Sequence, residues 1–331
     1  MVIAIDRNSQ AWVLGIDTSA YTTSVAWVSP SGVVREARQL LTVPPGTRGL
    51  RPSEALFQHL KVLPGLLAGL MSTKPPGELG GVAVSVAPRP AADSYLPPFL
   101  AGELAARSIA TINDVPLWTT THQEGHIRAG MVGAQMPHDI ARFLALHISG
   151  GTTELLSVAV EGWRFSLHRL GASDDLYAGQ FVDRVGVLLG LPFPAGPFLD
   201  ELAESTDLAH PIPWSRPRWH DGLWWTSFSG PETAARRAVQ QGVEAGHVAK
   251  GVMEAIARSL AALIAKAAEP QDVLVVGGVA ANTHIRRQLR ACLEPYGYRL
   301  WYADPGWSRD NAIGVAYVGL DAWHAATQGK S

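Results

Sequence analysis

His122 and His126 stand at positions i and i+4 of the segment Thr121-His122-Gln123-Glu124-Gly125-His126. On a helix that spacing brings both imidazoles to one face, close enough to share a metal ion. Two histidines alone also fit an ordinary surface or core pair. Glu124 narrows the chemistry. Metalloproteases put the glutamate second or fourth in this five-residue pattern. Here it is third, about 200° around the helix from either histidine. It is poorly placed to act as a general base, which argues against a peptidase. A further carboxylate is available in Ser308-Arg309-Asp310-Asn311-Ala312. Asp310 is either a first-turn residue favoured by the helix dipole or a third ligand beside the histidines. Two histidines and one carboxylate leave coordination positions open for a substrate oxygen.

Two glycine-bearing turns could meet an anion or a nucleotide. Ser149-Gly150-Gly151-Thr152-Thr153 follows a buried apolar run. Backbone N–H groups there can approach an anion without side-chain obstruction, although an ordinary glycine turn has the same composition. Gly277-Gly278-Val279-Ala280-Ala281-Asn282 follows a second buried run and opens toward a helix. The glycines would admit a flat base, and Asn282 offers an amide that both donates and accepts. The dinucleotide fingerprint is absent, because its third glycine is missing. A plain strand-to-helix loop is the alternative.

Periodicity supplies the elements that must carry these groups. Short apolar runs predict strands over 13–16, 24–28, 33–38, 81–86, 117–120, 143–148, 154–160, 163–168, 272–276 and 298–302. Helical spacing predicts helices over 54–71, weakened by Pro64 and Gly65, and over 97–113, 175–190 and 248–268. A helix after Gly278 ends near Leu293, and a last one, capped by Ser308, ends near Ala326. Val248, Val252, Ile256, Leu260 and Leu263 make one stripe. A strand, a polar turn, a strand, a hairpin turn and a strand occur twice. Asp17-Thr18-Ser19 is the first polar turn, and the interval from Asp17 to Ser29 and from Ser149 to Glu161 is 12 residues in each case. The repeat predicts two related lobes, residues 11–125 and 126–326, each offering one turn to a shared cleft, with the last helix packing back toward it.

Composition agrees with two lobes. The chain has 331 residues, 47% of them hydrophobic and 17% charged, enough for well-buried sheets. The net charge of −2 gives no basic stripe announcing nucleic acid. One cysteine, Cys292, excludes an internal disulfide and suits a small core position. The first ten residues lack the apolar run of a signal peptide, and no apolar stretch reaches the roughly 18 residues of a membrane span. The expected compartment is the cytoplasm.

Eight segments together resemble one family, the glycoprotease-like tRNA N6-adenosine threonylcarbamoyltransferases. They are G-I-D-T-S (Gly15–Ser19), H-Q-E-G-H (His122–His126), I-S-G-G-T-T-E-L (Ile148–Leu155) and D-D-L-Y-A-G-Q-F-V-D-R-V (Asp174–Val185). The others are L-L-G-L-P-F-P-A-G-P (Leu188–Pro197), S-F-S-G-P-E-T-A (Ser227–Ala234), G-G-V-A-A-N (Gly277–Asn282) and D-N-A-I-G (Asp310–Gly314). The resemblance implies an α/β fold with two lobes of the actin, sugar-kinase and heat-shock-ATPase type, built from duplicated βββαβα units. It implies transfer of a threonylcarbamoyl group from threonylcarbamoyl-adenylate to the N6 amine of a tRNA adenosine. By the same resemblance His122, His126 and Asp310 would hold iron or zinc. The turn Ser149, Gly150, Gly151, Thr152 and Thr153 would hold the phosphate and acyl end. Asp183 would meet the ribose, with Gly196 and Asn282 around the nucleotide. No catalytic side chain is singled out. The implied partners are an adenylate nucleotide and tRNA held through a complex, with a related inactive paralogue or an accessory ATPase as further candidates, and no membrane.

The sequence also departs from the family pattern. An acidic pair usual in the first turn is Tyr21 and Thr22 here, a histidine is Thr152, and a G-P-G loop is Ala87-Pro88-Arg89-Pro90. Two expectations stand side by side: an active transferase, or a divergent paralogue that binds nucleotide and metal, transfers weakly, and serves as a partner or regulator.

Overall fold

The structure is a computed structural model, and it describes residues 11–19, 21–32, 34–43, 50–73, 77–303, 306–307 and 312–328. They form two compact units. One contains the described residues up to Val132, Val160–Phe165 and those beyond Asp310; the other contains Gly133–Ala159 and the described part of Ser166–Arg309. The first unit therefore takes in both histidines of the H-Q-E-G-H segment.

The first unit begins with an antiparallel meander, β1 (Trp12–Ser19), β2 (Thr22–Val28) and β3 (Val34–Leu40). Helix α1 (Pro52–Met71) leads to β4 (Leu79–Ala87), α2 (Phe99–Ile112) to β5 (Leu117–Thr121), and α3 (His122–Gly133) follows without a loop. The sheet order is β3-β2-β1-β4-β5, with β4 parallel to β1 and β5 parallel to β4. Nearly every residue of β1 and β2 is apolar or small, which suits strands buried on both faces. Leu14, Ile16, Val25 and Trp27 pack with Leu63 and Leu70 of α1 and with Ala106 and Ala110 of α2. Burial of Leu63 and Leu70 carries α1 straight through Pro64, whose missing N–H removes only one rung of the helix.

The second unit repeats the plan with β6 (Arg142–Ile148), β7 (Thr153–Glu161) and β8 (Arg164–Ser173). Then come α4 (Ala178–Leu188), α5 (Gly196–Glu204), β9 (Arg218–His220), β10 (Leu223–Thr226) and α6 (Ser229–Gln240). Helix α7 (Ala245–Ala267), β11 (Asp272–Val276), a 3₁₀ turn over Gly278–Ala281, α8 (Thr283–Leu293) and β12 (Arg299–Tyr302) complete it. Its order is β12-β11-β6-β7-β8-β10-β9. Read from β8, this is the first sheet's order, with the β10–β9 pair added at one edge. The stripe Val248, Val252, Ile256, Leu260 and Leu263 of α7 is fully buried, packed in one core with Leu144, Leu146 and Ile148 of β6.

The duplication is real in topology, but the equal spacing in sequence pairs different places. Asp17, Thr18 and Ser19 are not a turn: they lie in β1, which runs to Ser19 and meets Thr22 of β2. In the second unit β6 stops at Ile148 opposite Thr153, so the whole 149–152 stretch is turn. The helix expected from residue 175 starts at Ala178, and α5, β9, β10 and α6 add to the elements that periodicity predicts.

The last helix, α9 (Ile313–Gln328), belongs to the first unit and rests on β1 and β4. Ser308, its expected cap, lies outside the described residues. Arg128 of α3 grips Asp321 of α9 with two hydrogen bonds, Nε to Oδ2 at 2.6 Å and Nη2 to Oδ1 at 2.9 Å. Among the described residues no helix is long and apolar enough to cross a membrane.

Candidate functional site

Two constellations carry chemistry, one in each unit. In the first, the turn-free junction of β5 and α3 makes His122 the first residue of the helix. Glu124 folds back on that junction, its Oε2 accepting from the Thr121 N–H at 2.7 Å and from the hydroxyls of Thr120 (2.9 Å) and Thr121 (2.7 Å). It serves as a helix cap and points no carboxylate at the histidines, as its position in the motif predicts. The Gln123 N–H donates to Pro88 O at 3.1 Å, which ties the Ala87-Pro88-Arg89-Pro90 loop to the start of α3.

His122 and His126 face each other, Nε2 to Nε2, at 3.0 Å. Behind His122, its Nδ1 lies 3.1 Å from Oδ2 of Asp17, a fully buried carboxylate. An ionised carboxylate only accepts, so Nδ1 carries the proton and Nε2 presents its lone pair. Asp17 also accepts from Ser19 Oγ at 2.9 Å and from Ser85 Oγ. Burial pushes the Asp17 carboxyl up, but the adjacent His122 imidazole and the hydrogen bonds from His122, Ser85 and Ser19 outweigh it and hold it below the usual range.

These residues fit a metal ion. Around an ion with nitrogen ligands at about 2.0–2.1 Å, two cis ligands stand about 3 Å apart, and a carboxylate on the far nitrogen is the usual brace of a ligating histidine. Among the described residues no group of three or more His, Cys, Asp or Glu side chains is arranged to hold an ion, and Asp310 lies outside the described residues. Next to this site His59 of α1 is fully buried, with Nδ1 2.8 Å from Thr23 Oγ1. Burial pushes its imidazole down to about 4, against the pull of Asp17.

In the second unit a cavity of about 490 Å³ is lined by Gly150, Asp183, Gly196, Asp200 and Asn282 among others. Four of these five are residues that the sequence singles out; Gly151, Ser149, Thr152 and Thr153 form the adjoining turn. Ser149 N–H donates to Thr152 O at 2.8 Å, and Ser149 O accepts from Gly179 N–H at 3.2 Å. Thr153 Oγ1 accepts from the Ala178 N–H at 2.9 Å and so caps α4. A side chain at Gly179 would collide with Gly150 N at 2.6 Å, so the start of α4 lies directly on the glycine turn. Among the described residues, and apart from each glycine's own chain neighbours, no atom stands within 4 Å of where a side chain would begin at Gly150 or Gly151, which leaves the turn backbone open to a ligand.

Asn282 works in two directions. Its Oδ1 caps α8 by accepting from Ile285 N–H at 2.8 Å, while its Nδ2 is buried with no partner among the described residues. A buried donor left unpaired is destabilising unless a ligand or water meets it. Asp183 accepts from Ala195 N–H at 2.8 Å through Oδ1, leaving Oδ2 for a second donor. Asp200, from α5, accepts from Thr283 N and Oγ1, both at 2.9 Å, and lies on the cavity wall. Sequence reasoning misses it; the signal available is its place four residues after Gly196, one helical turn along from a residue already assigned. Gly277, where β11 ends, has φ +98°, and a side chain there would meet Ile148 O at 2.3 Å.

The comparisons agree with this architecture. Over 94% of its length the chain superposes on component A of the (R)-2-hydroxyglutaryl-CoA dehydratase of Acidaminococcus fermentans, covering 99% of that chain with a TM-score of 0.56 and 16% identity. HypF of T. kodakarensis matches with a TM-score of 0.59 and 15% identity, over 96% of this chain and 49% of that one. Both have the actin-like ATPase and sugar-kinase fold, which is therefore the fold here. In sequence the chain is 36% identical over 328 residues to the tRNA N6-adenosine threonylcarbamoyltransferase of a Thermus thermophilus strain, covering 96% of this chain and 94% of that protein. The pattern of the TsaD family, tRNA N6-adenosine threonylcarbamoyltransferase, matches residues 34–317, and the chain belongs to that family.

Proposed function

We propose that this chain transfers the threonylcarbamoyl group of threonylcarbamoyl-adenylate to the N6 amine of an adenosine in tRNA, with an iron or zinc ion held by His122, His126 and Asp310. The observation that carries the proposal is Asn282 Nδ2, a buried donor without a partner among the described residues, on the wall of a cavity shared with Gly150 and Asp183. Donor, acceptor and open glycine backbone are what the base, ribose and phosphate of an adenylate require.

An acyl-adenylate is already activated, so no protein nucleophile is needed. The amine nitrogen attacks the carbamoyl carbon, the bond from that carbon to the phosphate oxygen breaks, and AMP leaves with the electron pair while the amine proton passes to solvent. The N–H groups of Gly150 and Thr152 would hold the phosphate as its charge grows. Asp183 and Asn282 would fix the nucleoside, which sets the direction of attack. Asp17 would keep the His122 proton on Nδ1 and its lone pair outward. An iron or zinc ion, when bound, would supply Lewis-acid chemistry.

The second reading, binding without efficient transfer, is favoured by Thr22. It is 3% exposed and pairs with Ser19, and neither it nor Tyr21 supplies a carboxylate. Because a glutamate at position 22 would bury a charge, Tyr21→Asp is the cleaner substitution for asking whether an acid restores turnover.

Reconstitution with tRNA, threonine, bicarbonate, ATP and the synthase, followed by nucleoside analysis, tests the proposal. The expected result is threonylcarbamoyladenosine in the digest. Product from a family relative under the same conditions, and none from this chain, would overturn it in favour of the second reading.

A further inference from the structure

Four of the chain's 11 tryptophans fall between Trp214 and Trp225, in and beside the β9–β10 hairpin of the second unit. A core role would bury them, yet Trp219 is 58% exposed and Trp214 37%. The rings line both sides of the hairpin, because successive strand residues point to opposite faces: Trp219 and Trp224 pair on one side, where Trp224 also packs against the core, and His220 and Trp225 pair on the other. The His220 imidazole stacks on Trp225 at 5.1 Å with 14° between planes, and Trp219 meets Trp224 edge-on at 5.3 Å. Guanidinium groups lie over two of the indoles: Arg216 is 5.7 Å from Trp214 and Arg169 is 6.0 Å from Trp225. The Ser227 N–H donates to Ser215 Oγ at 3.0 Å, which fastens the Trp214–Arg216 segment beside the end of β10.

We propose that this hairpin, with the Trp214–Arg216 segment beside it, is the platform on which unstacked bases of the RNA substrate dock. The inference takes its partner, RNA, from the activity proposed above. Aromatic rings with cations at their faces stack bases and meet phosphates whatever the sequence. Exposed tryptophan and arginine also anchor proteins, and charge separates the two cases. Among the described residues Arg169 and Arg216 form no ion pair, whereas Asp174 lies 3.7 Å from Arg218 and Asp221 lies 3.4 Å from His220. The hairpin and its surroundings offer cations that lack anions, and a phosphate backbone supplies them. The net charge of −2 conceals this patch, because the balance is struck over the whole chain.

The test is fluorescence anisotropy of a labelled anticodon stem-loop RNA titrated with the full chain at several salt concentrations. The variants are Trp219→Ala and the pair Arg169→Gln with Arg216→Gln, each checked by circular dichroism and by nucleotide affinity. Loss of one stacked base weakens binding about five- to a hundredfold. Each lost phosphate contact reduces the salt slope by about 0.7. Wild-type affinity and slope in natively folded variants would overturn the platform, as would no RNA binding by the wild type at low salt. Variants that keep RNA but lose a protein partner would overturn it too. RNA binding that depends on these residues, without threonylcarbamoyladenosine in the reconstitution, refutes the proposed activity and leaves the platform standing; product together with unchanged variants does the reverse.

Discussion

Replacing Gly314 with alanine should loosen α9 from α3. A Cβ at position 314 would lie 1.8 Å from Gly125 O, 2.7 Å from Gly125 C and 2.9 Å from Ala129 N, all backbone atoms. No rotamer change can relieve that overlap, so the two helices must part by about 1.5 Å to restore an ordinary contact. The Arg128–Asp321 bonds across the same pair of helices would stretch with them. Overpacking of this kind costs about 3 kcal/mol, and alanine's better helix propensity returns about 1 kcal/mol. The net loss of about 2 kcal/mol lowers Tm by about 4–8 °C for a domain of about 150–250 residues. Gly65 of α1, with nothing within 4 Å of an added Cβ, is the control. Gly65→Ala should raise Tm by about 2–4 °C through propensity alone. Thermal unfolding by circular dichroism reads both. If Gly314→Ala unfolds with or above the wild type, the contact between α3 and α9 is not the one described.

The other predictions separate binding from folding. Asn282→Ala should lose both the α8 cap, worth about 1 kcal/mol of stability, and nucleotide affinity, while Asn282→Asp should keep the cap and still bind nucleotide worse; calorimetry beside denaturant unfolding distinguishes them, and equal affinity in all three proteins would remove Asn282 from the site. Asp17→Asn should weaken metal binding about 10–100-fold, measured by chelator competition, with His122→Ala losing the ion and unchanged competition in either refuting the assignment. For His59, lowered from 6.5 to about 4 by burial against the pull of Asp17, the unfolded chain takes up a proton between those values and the native chain does not. Stability should therefore fall as pH drops from 6.5 to 4, and His59→Gln should flatten that part of the urea-midpoint profile; an identical slope in the variant would contradict it.

What the sequence conveys is local. The i, i+4 spacing of His122 and His126 and the displaced Glu124 predict which side chains face each other and which turns away, because a helix makes those relations within a few residues. Asp17 is the counter-example: expected in a turn, it is a strand residue whose partner stands 105 positions along the chain, a distance no periodicity reports. Helix α6 escapes notice because its buried side includes Pro231 and Glu232 and looks polar, and β9 because all three of its residues are exposed. Several motif glycines serve packing. Gly15, Gly125 and Gly314 each let α9 approach a neighbouring backbone or side chain, a role that cannot be told from ligand approach until the neighbour is known.

Gly277 is subject to two independent vetoes. Its φ of +98° excludes most side chains by local geometry, and Ile148 O, 2.3 Å from where a Cβ would sit, excludes the rest by contact. A compensating change can answer one objection at a time: a shift of β6 makes room but leaves the torsion forbidden, and a new torsion bends the exit from β11 away from Asn282. In the landscape of accessible variants this position is a dead end with no neighbouring ridge, so divergence of the chain must proceed around it, at exposed positions such as Tyr21.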